Sequence, residues 1–192
     1  MKNKLKITWN SPVILTFVAI CLVATALNYI TGGKSNAIFF MTYHSPLKSP
    51  MTYVRLFSHV FGHADWSHFI GNMSYILLLG PLLEEKYKSQ TLIEVIAITA
   101  LVTGLVNYIF FPYVALCGAS GVVFAFMLLA SFTSFKEGEI PLTFLLVAVF
   151  FIGQQIIQGI TLDDNVSNMA HIVGGIVGGS CGYVLNKKQE HK

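Results

Sequence analysis

A chain of 192 residues is long enough for one domain, yet 54% of it is apolar and only 11% is charged. A soluble domain of this size carries about a quarter charged residues, so the composition excludes an ordinary water-soluble fold. The net charge of +3 comes without a basic patch interleaved with aromatics, which excludes a nucleic-acid surface.

Six stretches of roughly membrane-spanning length follow one another, at 12–30, 66–83, 91–111, 119–135, 140–158 and 166–185. The first has the basic start and apolar centre of a signal peptide. It lacks a clear small-x-small cleavage site and is followed by more spans, so it reads as a retained helix. Residues 1–11 and 186–192 read as tails. Segment 31–65 is the one long connection, and in it "NAIFFMTY" and "MTYVRLF" mix aromatics with polar residues around Pro46 and Pro50. Such segments lie in the interface with the apolar side down, which predicts a membrane-embedded first outer loop. The remaining outer loops, 112–118 and 159–165, are short. No linker and no internal repeat divides the chain, so residues 1–192 read as a single all-α, six-span membrane domain.

Orientation follows the basic residues. Lys2, Lys4, Lys6, Lys86, Lys88, Lys136, Lys187, Lys188 and Lys192 fall on one side; Lys34, Lys48 and Arg55 fall on the other. The first side is expected to be cytoplasmic and to hold both termini.

The fourth stretch is short. From Ala119 to Phe135 it would rise roughly 26 Å as a helix, against a hydrocarbon core of about 30 Å. The apolar loop "FFPYVALCGA" precedes it. Irregular backbone dips into lipid only where protein or a wet cavity covers it. Ser120 is therefore expected to begin a helix below the outer surface.

Ionisable and polar side chains inside spans are costly and mark function. They fall in three places: His68 and Asn72 in "HFIGN", Ser120 in "CGASG", and His171 in "NMAHIVGG". Counting back from Glu84, Lys136 and Lys187 to His68, Ser120 and His171 gives sixteen residues each time. All three then lie about 24 Å above the inner boundary and ~6 Å below the outer one. Asn72 is one turn deeper than His68 on the same face.

This level offers a nucleophile, Ser120, and a base, His171. The start of a helix adds free N–H groups and the positive dipole end, which suit a developing oxyanion. His68 and Asn72 can supply further donors, and Gly118 and Gly121 permit unusual backbone angles and close approach. Asp65, Asp163 and Asp164 belong to loops, so a Ser-His dyad remains rather than a triad. Ala170, Gly174, Gly178 and Gly182 repeat every four residues, matching Gly121 and Ala125, and predict a close crossing of the fourth and sixth spans.

Cys21 and Cys181 read as small apolar residues inside spans, while Cys117 lies near Ser120. With His44, the histidines 59, 63 and 68 invite a metal reading, but they lack HExxH spacing and a carboxylate. His59 and His63 are expected to shape the loop instead. Phe144, Phe150 and Phe151 are expected to face lipid or to add bulk to a gate.

"GASG" opening a span, "AHIVGGIVGG" in the last span and "HFIGN" in the second together resemble the rhomboid intramembrane serine proteases, in particular the bacterial GlpG type. The resemblance runs from Arg55 to about Gly182. It implies Ser120 as nucleophile and His171 as general base, with His68, Asn72 and the Ser120 amide as the oxyanion hole. Gly118 matches the small residue before the nucleophile turn, and Phe124 stands where some members carry Tyr. Val54-Arg55 replaces the usual Trp-Arg. The resemblance further implies a gating fifth span, a transmembrane helix as substrate, no metal or other cofactor, and a bacterial inner-membrane location with the site open to the periplasm. The rival readings are a proteolytically inactive protein that holds membrane helices, and a transporter using the histidines.

Overall fold

The computed structural model describes residues 7–133, 139–161 and 165–190. The expectations for Lys2, Lys4, Lys6, Lys136, Asp163, Asp164 and Lys192 fall outside these residues. The described chain is helical, with one isolated antiparallel bridge between Thr42 and Leu116.

Helix α1 covers Pro12–Ile30 and opens on a proline at its first position, where the missing N–H is no loss. Ser11 makes no side-chain cap. The free amides of Val13 and Ile14 donate instead to the two carboxylate oxygens of Glu84, at 3.1 and 3.2 Å. A carboxylate at a helix N-terminus is favoured by the dipole. Glu84 is buried, although its sequence position suggests a boundary charge.

The outer connection has its own structure: a π-helical turn at Asn36–Phe40, helix α2 over Pro50–Ser58, and a 3-10 turn at His59–Phe61. Helix α3, Trp66–Tyr87, is capped by Asp65, whose side chain accepts from the His68 amide at 2.8 Å. Lys88, at φ 74°, makes the sharp reversal into helix α4, Ser89–Phe110. Helices α5, α6 and α7 cover Ser120–Ser131, Leu142–Thr161 and Asn165–Glu190. Helices α1 and α4 are long and apolar enough to cross a membrane by length and composition.

Helix α5 is the centre of the packing, and Val122, Ala125, Phe126 and Leu129 on it are fully buried. It is shorter than the expected 119–135. Phe132 and Thr133 close it with bonds to Leu129 and Ala130 carbonyls, and outside groups take over the carbonyls that follow. Asn186 on α7 donates to the Phe132 carbonyl at 2.9 Å, and Lys86 on α3 donates to that of Thr133. Helix ends satisfied in this way need no further turn.

Helix α7 crosses α5 at backbone contact. A Cβ on Gly174 would fall 2.1 Å from the Gly121 carbonyl oxygen, and one on Gly178 would fall 2.1 Å from that of Ala125. Only glycine permits this approach. Gly182 continues the row against the Phe132 ring.

Candidate active site

The α5–α7 crossing sets the site. Gly121 touches Gly174 and lies against the Ala170 carbonyl; Ser120 and His171 are the next residues on the two helices. Both line one cavity of about 620 Å³, together with His68 and Asn72 of α3. The three stretches that the sequence places at one depth therefore converge. The remaining walls are largely apolar: Val123, Phe124 and Met127 from α5, with Leu146, Val147, Phe150 and Phe151 from α6.

Ser120 is the first residue of α5, after Ala119 at φ −80°, ψ 2°. Its N–H is one of the donors that an α-helix leaves without an internal partner, and the dipole adds positive potential there. Gly118, at φ +132°, makes the turn before it. A Cβ at Gly118 would lie 2.7 Å from the His68 ring and 3.8 Å from Asn72 Nδ2. Glycine is thus required twice over, by its backbone angle and by the His68 ring. Asn72 is buried, and its Nδ2 has no hydrogen-bond partner among the described residues. A buried amide donor left open is costly, and this one lies beside the turn that leads into Ser120.

The His171 ring packs on Phe124, with centroids 4.4 Å apart, and Phe124 packs on Phe151 at 4.1 Å. Phe151 is 7% exposed, so of the two expected places it does not take the lipid-facing one. Phe150 is 74% exposed. Nothing in the apolar run of α6 separates the two in sequence.

The loop before Ser120 is fastened to the outer connection. The Gly118 amide donates to the His59 carbonyl at 2.9 Å, and Thr42 and Leu116 exchange amide bonds at 2.9 and 2.8 Å. Asn107 Nδ2 on α4 donates to the carbonyls of Thr42 and Val114. His59 Nε2 donates to the Ala100 carbonyl at 3.0 Å. His63 is fully buried, takes the side-chain amides of Asn28 and Asn36 on its carbonyl, and sets its ring edgewise to His68 at 5.1 Å. Burial lowers both imidazoles, His59 and His63, to about 4, so they are neutral at ordinary pH. Both shape the loop, as the sequence suggests. Arg55, also buried, donates to Tyr43 and Ser45 and lies over the Tyr43 ring. Burial pushes the Cys117 thiol up to about 11, which removes it as a nucleophile. Among the described residues no three His, Cys, Asp or Glu side chains gather as a metal cage.

Two helices long and apolar enough to cross a membrane, and a largely apolar cavity that gathers a few polar side chains, point to an integral membrane protein. Residues 50–188 match the Rhomboid domain family. Rhomboid protease GlpG of Haemophilus influenzae is 26% identical over 200 residues, covering 100% of this chain and 98% of that protein. Rhomboid-related protein 2 of Mus musculus is 31% identical over 160 residues, which is 72% of this chain and 53% of the relative. Rhomboid-related protein 1 of Caenorhabditis elegans is 30% identical over 140 residues, covering 68% of this chain and 39% of the relative. The chain thus spans about half or less of these two animal proteins, but almost all of GlpG. It belongs to the rhomboid family and is of the GlpG type.

Proposed function

We propose that this protein is an intramembrane serine protease that cuts a transmembrane helix near its outer end. The observation that carries the reading is the gathering of Ser120, His171, His68 and Asn72 on one cavity. In this mechanism His171 takes the Ser120 hydroxyl proton as Oγ attacks the scissile carbonyl carbon. The Ser120 amide, His68 and Asn72 receive the resulting oxyanion. His171 then protonates the leaving amine, and water, activated by the same imidazole, hydrolyses the ester. Phe124 holds the imidazole plane. Gly118 and Gly121 allow the turn and the crossing that bring the groups together.

The reading includes six spans, both termini on the cytoplasmic side of a bacterial inner membrane, and a cavity open to the periplasm. Helix α6, which supplies the apolar wall facing α3, acts as the side through which a substrate helix arrives. The substrate's own helical amides must be freed before its carbonyl can reach Ser120, so helix-breaking residues near the cut favour cleavage. Placing Pro or Gly there in a poor substrate is expected to improve cutting.

The direct test incubates purified protein in bilayers with a single-span substrate. Wild type is expected to cut it and to be labelled by a fluorophosphonate. Ser120→Ala is expected to lose both properties, and His171→Ala to lose cutting. Cleavage that survives Ser120→Ala sinks the dyad. Absence of both cutting and labelling in wild type favours a protein that only holds membrane helices.

A further inference from the structure

Away from the proposed active site, a second cavity of about 460 Å³ lies between α1, α4 and the outer connection. Its walls are α1 and α4, both long and apolar enough to cross a membrane. Phe57, Val60 and Phe61 of the outer connection form its third side, and Thr16 is the one polar residue on its lining. Ile20, Phe57 and Ile93 are more than 40% exposed, so the cavity is open along the lipid-facing surface of α1 and α4.

Its length selects the occupant. On α1 the lining runs from Pro12 to Ile20, and on α4 from Ile93 to Ala100. These are rises of about 12 and 10 Å, well under half of a hydrocarbon core of about 30 Å. The space starts at the first residue of α1 and stops under the aromatic side chains of the outer connection. A spanning helix cannot fit in so short a groove. A flexible hydrocarbon chain from one leaflet can. At the Pro12 end, Ser89 and the Val13 amide share the Glu84 carboxylate; Lys88, the residue before Ser89, is exposed and gives this end the positive charge that a headgroup phosphate requires.

We infer that this groove is a binding site for one acyl chain of a bilayer phospholipid from the leaflet on the Pro12 side, which props the outer connection from below. The prop reaches the nucleophile loop by a short route. Val60 and Ala100 line the groove; His59, beside Val60, donates to the Ala100 carbonyl and accepts the Gly118 amide. The inference does not depend on the chemistry proposed for Ser120.

The test uses the full chain in vesicles of phosphatidylethanolamine and phosphatidylglycerol, doped with a phospholipid carrying a diazirine at the end of one acyl chain. After irradiation, labelled peptides are mapped by mass spectrometry. Labelling of the 57–61 segment is expected to exceed severalfold that of the lipid-exposed Leu78 and Leu82 on α3. Filling the groove from either wall, by Ala97→Trp or Thr16→Trp, is expected to abolish that excess and leave labelling of α3 unchanged. The excess in the unaltered chain is itself decisive should both variants misfold. Equal labelling of 57–61 and α3 in wild type overturns the inference, as does a cross-link there to a second protein chain.

Discussion

The start of α5 is held from two sides by different physics. On one side α7 meets it through glycine, backbone against backbone, with no hydrogen bond needed. On the other, the preceding loop is held through amides: Thr42 and Leu116 exchange backbone bonds, the His59 carbonyl accepts from the Gly118 amide, and the Asn107 side chain on α4 donates to the carbonyls of Thr42 and Val114. The first contact fails by steric excess, because a packed interior has no slack. The second fails by leaving polar groups unpaired at depth. The position to which we assign the chemistry is thus fixed by one element that cannot come closer and another that cannot let go.

Replacing Gly178 by Val attacks the first side. Its Cβ would lie 2.1 Å from the Ala125 carbonyl oxygen, and backbone cannot swing aside as a side chain can. The destabilisation is expected at or above the upper end of the ~1–3 kcal/mol typical of overpacking, with proteolysis lost. Thermal unfolding in bilayers, beside a cleavage assay, checks both. Gly179→Ala makes the contrast, since a Cβ there meets nothing nearer than 3.9 Å.

Asn72→Ala leaves both grips intact and removes one donor from the site. It is expected to lower kcat by ~10²–10³ with little change in unfolding, as for other oxyanion donors. A fall in stability matching the fall in kcat contradicts that role.

Asn107→Ala weakens the second side. It strips a donor from the Thr42 and Val114 carbonyls and is expected to cost about 2 kcal/mol. Faster hydrogen exchange at the Leu116 and Gly118 amides, with α5–α7 protection unchanged, would separate the grips.

The most gradual effect is that of pH. His59 and His63 are held near 4 by burial, against an ordinary value of 6.5. The unfolded chain therefore binds more protons than the folded one between those values, and stability falls as pH drops from about 6.5 towards 4. The loss is expected first in protection of the outer connection. His59→Asn is expected to flatten the slope of stability against pH in that window.

The two sides also differ in how far they can be read from sequence. Ala170, Gly174, Gly178 and Gly182 repeat at helical spacing, and the crossing is visible in that period. The positions of the helices are equally legible, because long apolar runs have few other uses. The polar grip has no period. Thr42 and Leu116 pair across seventy-four positions, and neither residue type announces a bridge. Glu84 looks like a boundary charge because two of its partners are the backbone amides of Val13 and Ile14, which no side-chain pattern reveals. Phe151 differs from Phe150 only in facing inward, and an apolar run does not encode which face that is. His68, Asn72, Ser120 and His171 stand out in the sequence because polar groups are scarce in such runs, and all four line one cavity.

The carboxylate that seats α1 has a consequence for biosynthesis. Glu84 lies 71 residues after Val13, so on the ribosome the first helix is made well before its cap exists. During that interval the amides of Val13 and Ile14 must be served by water or headgroups. The final seating of α1 is therefore an event of assembly, completed only when the α3–α4 hairpin has been inserted beside it.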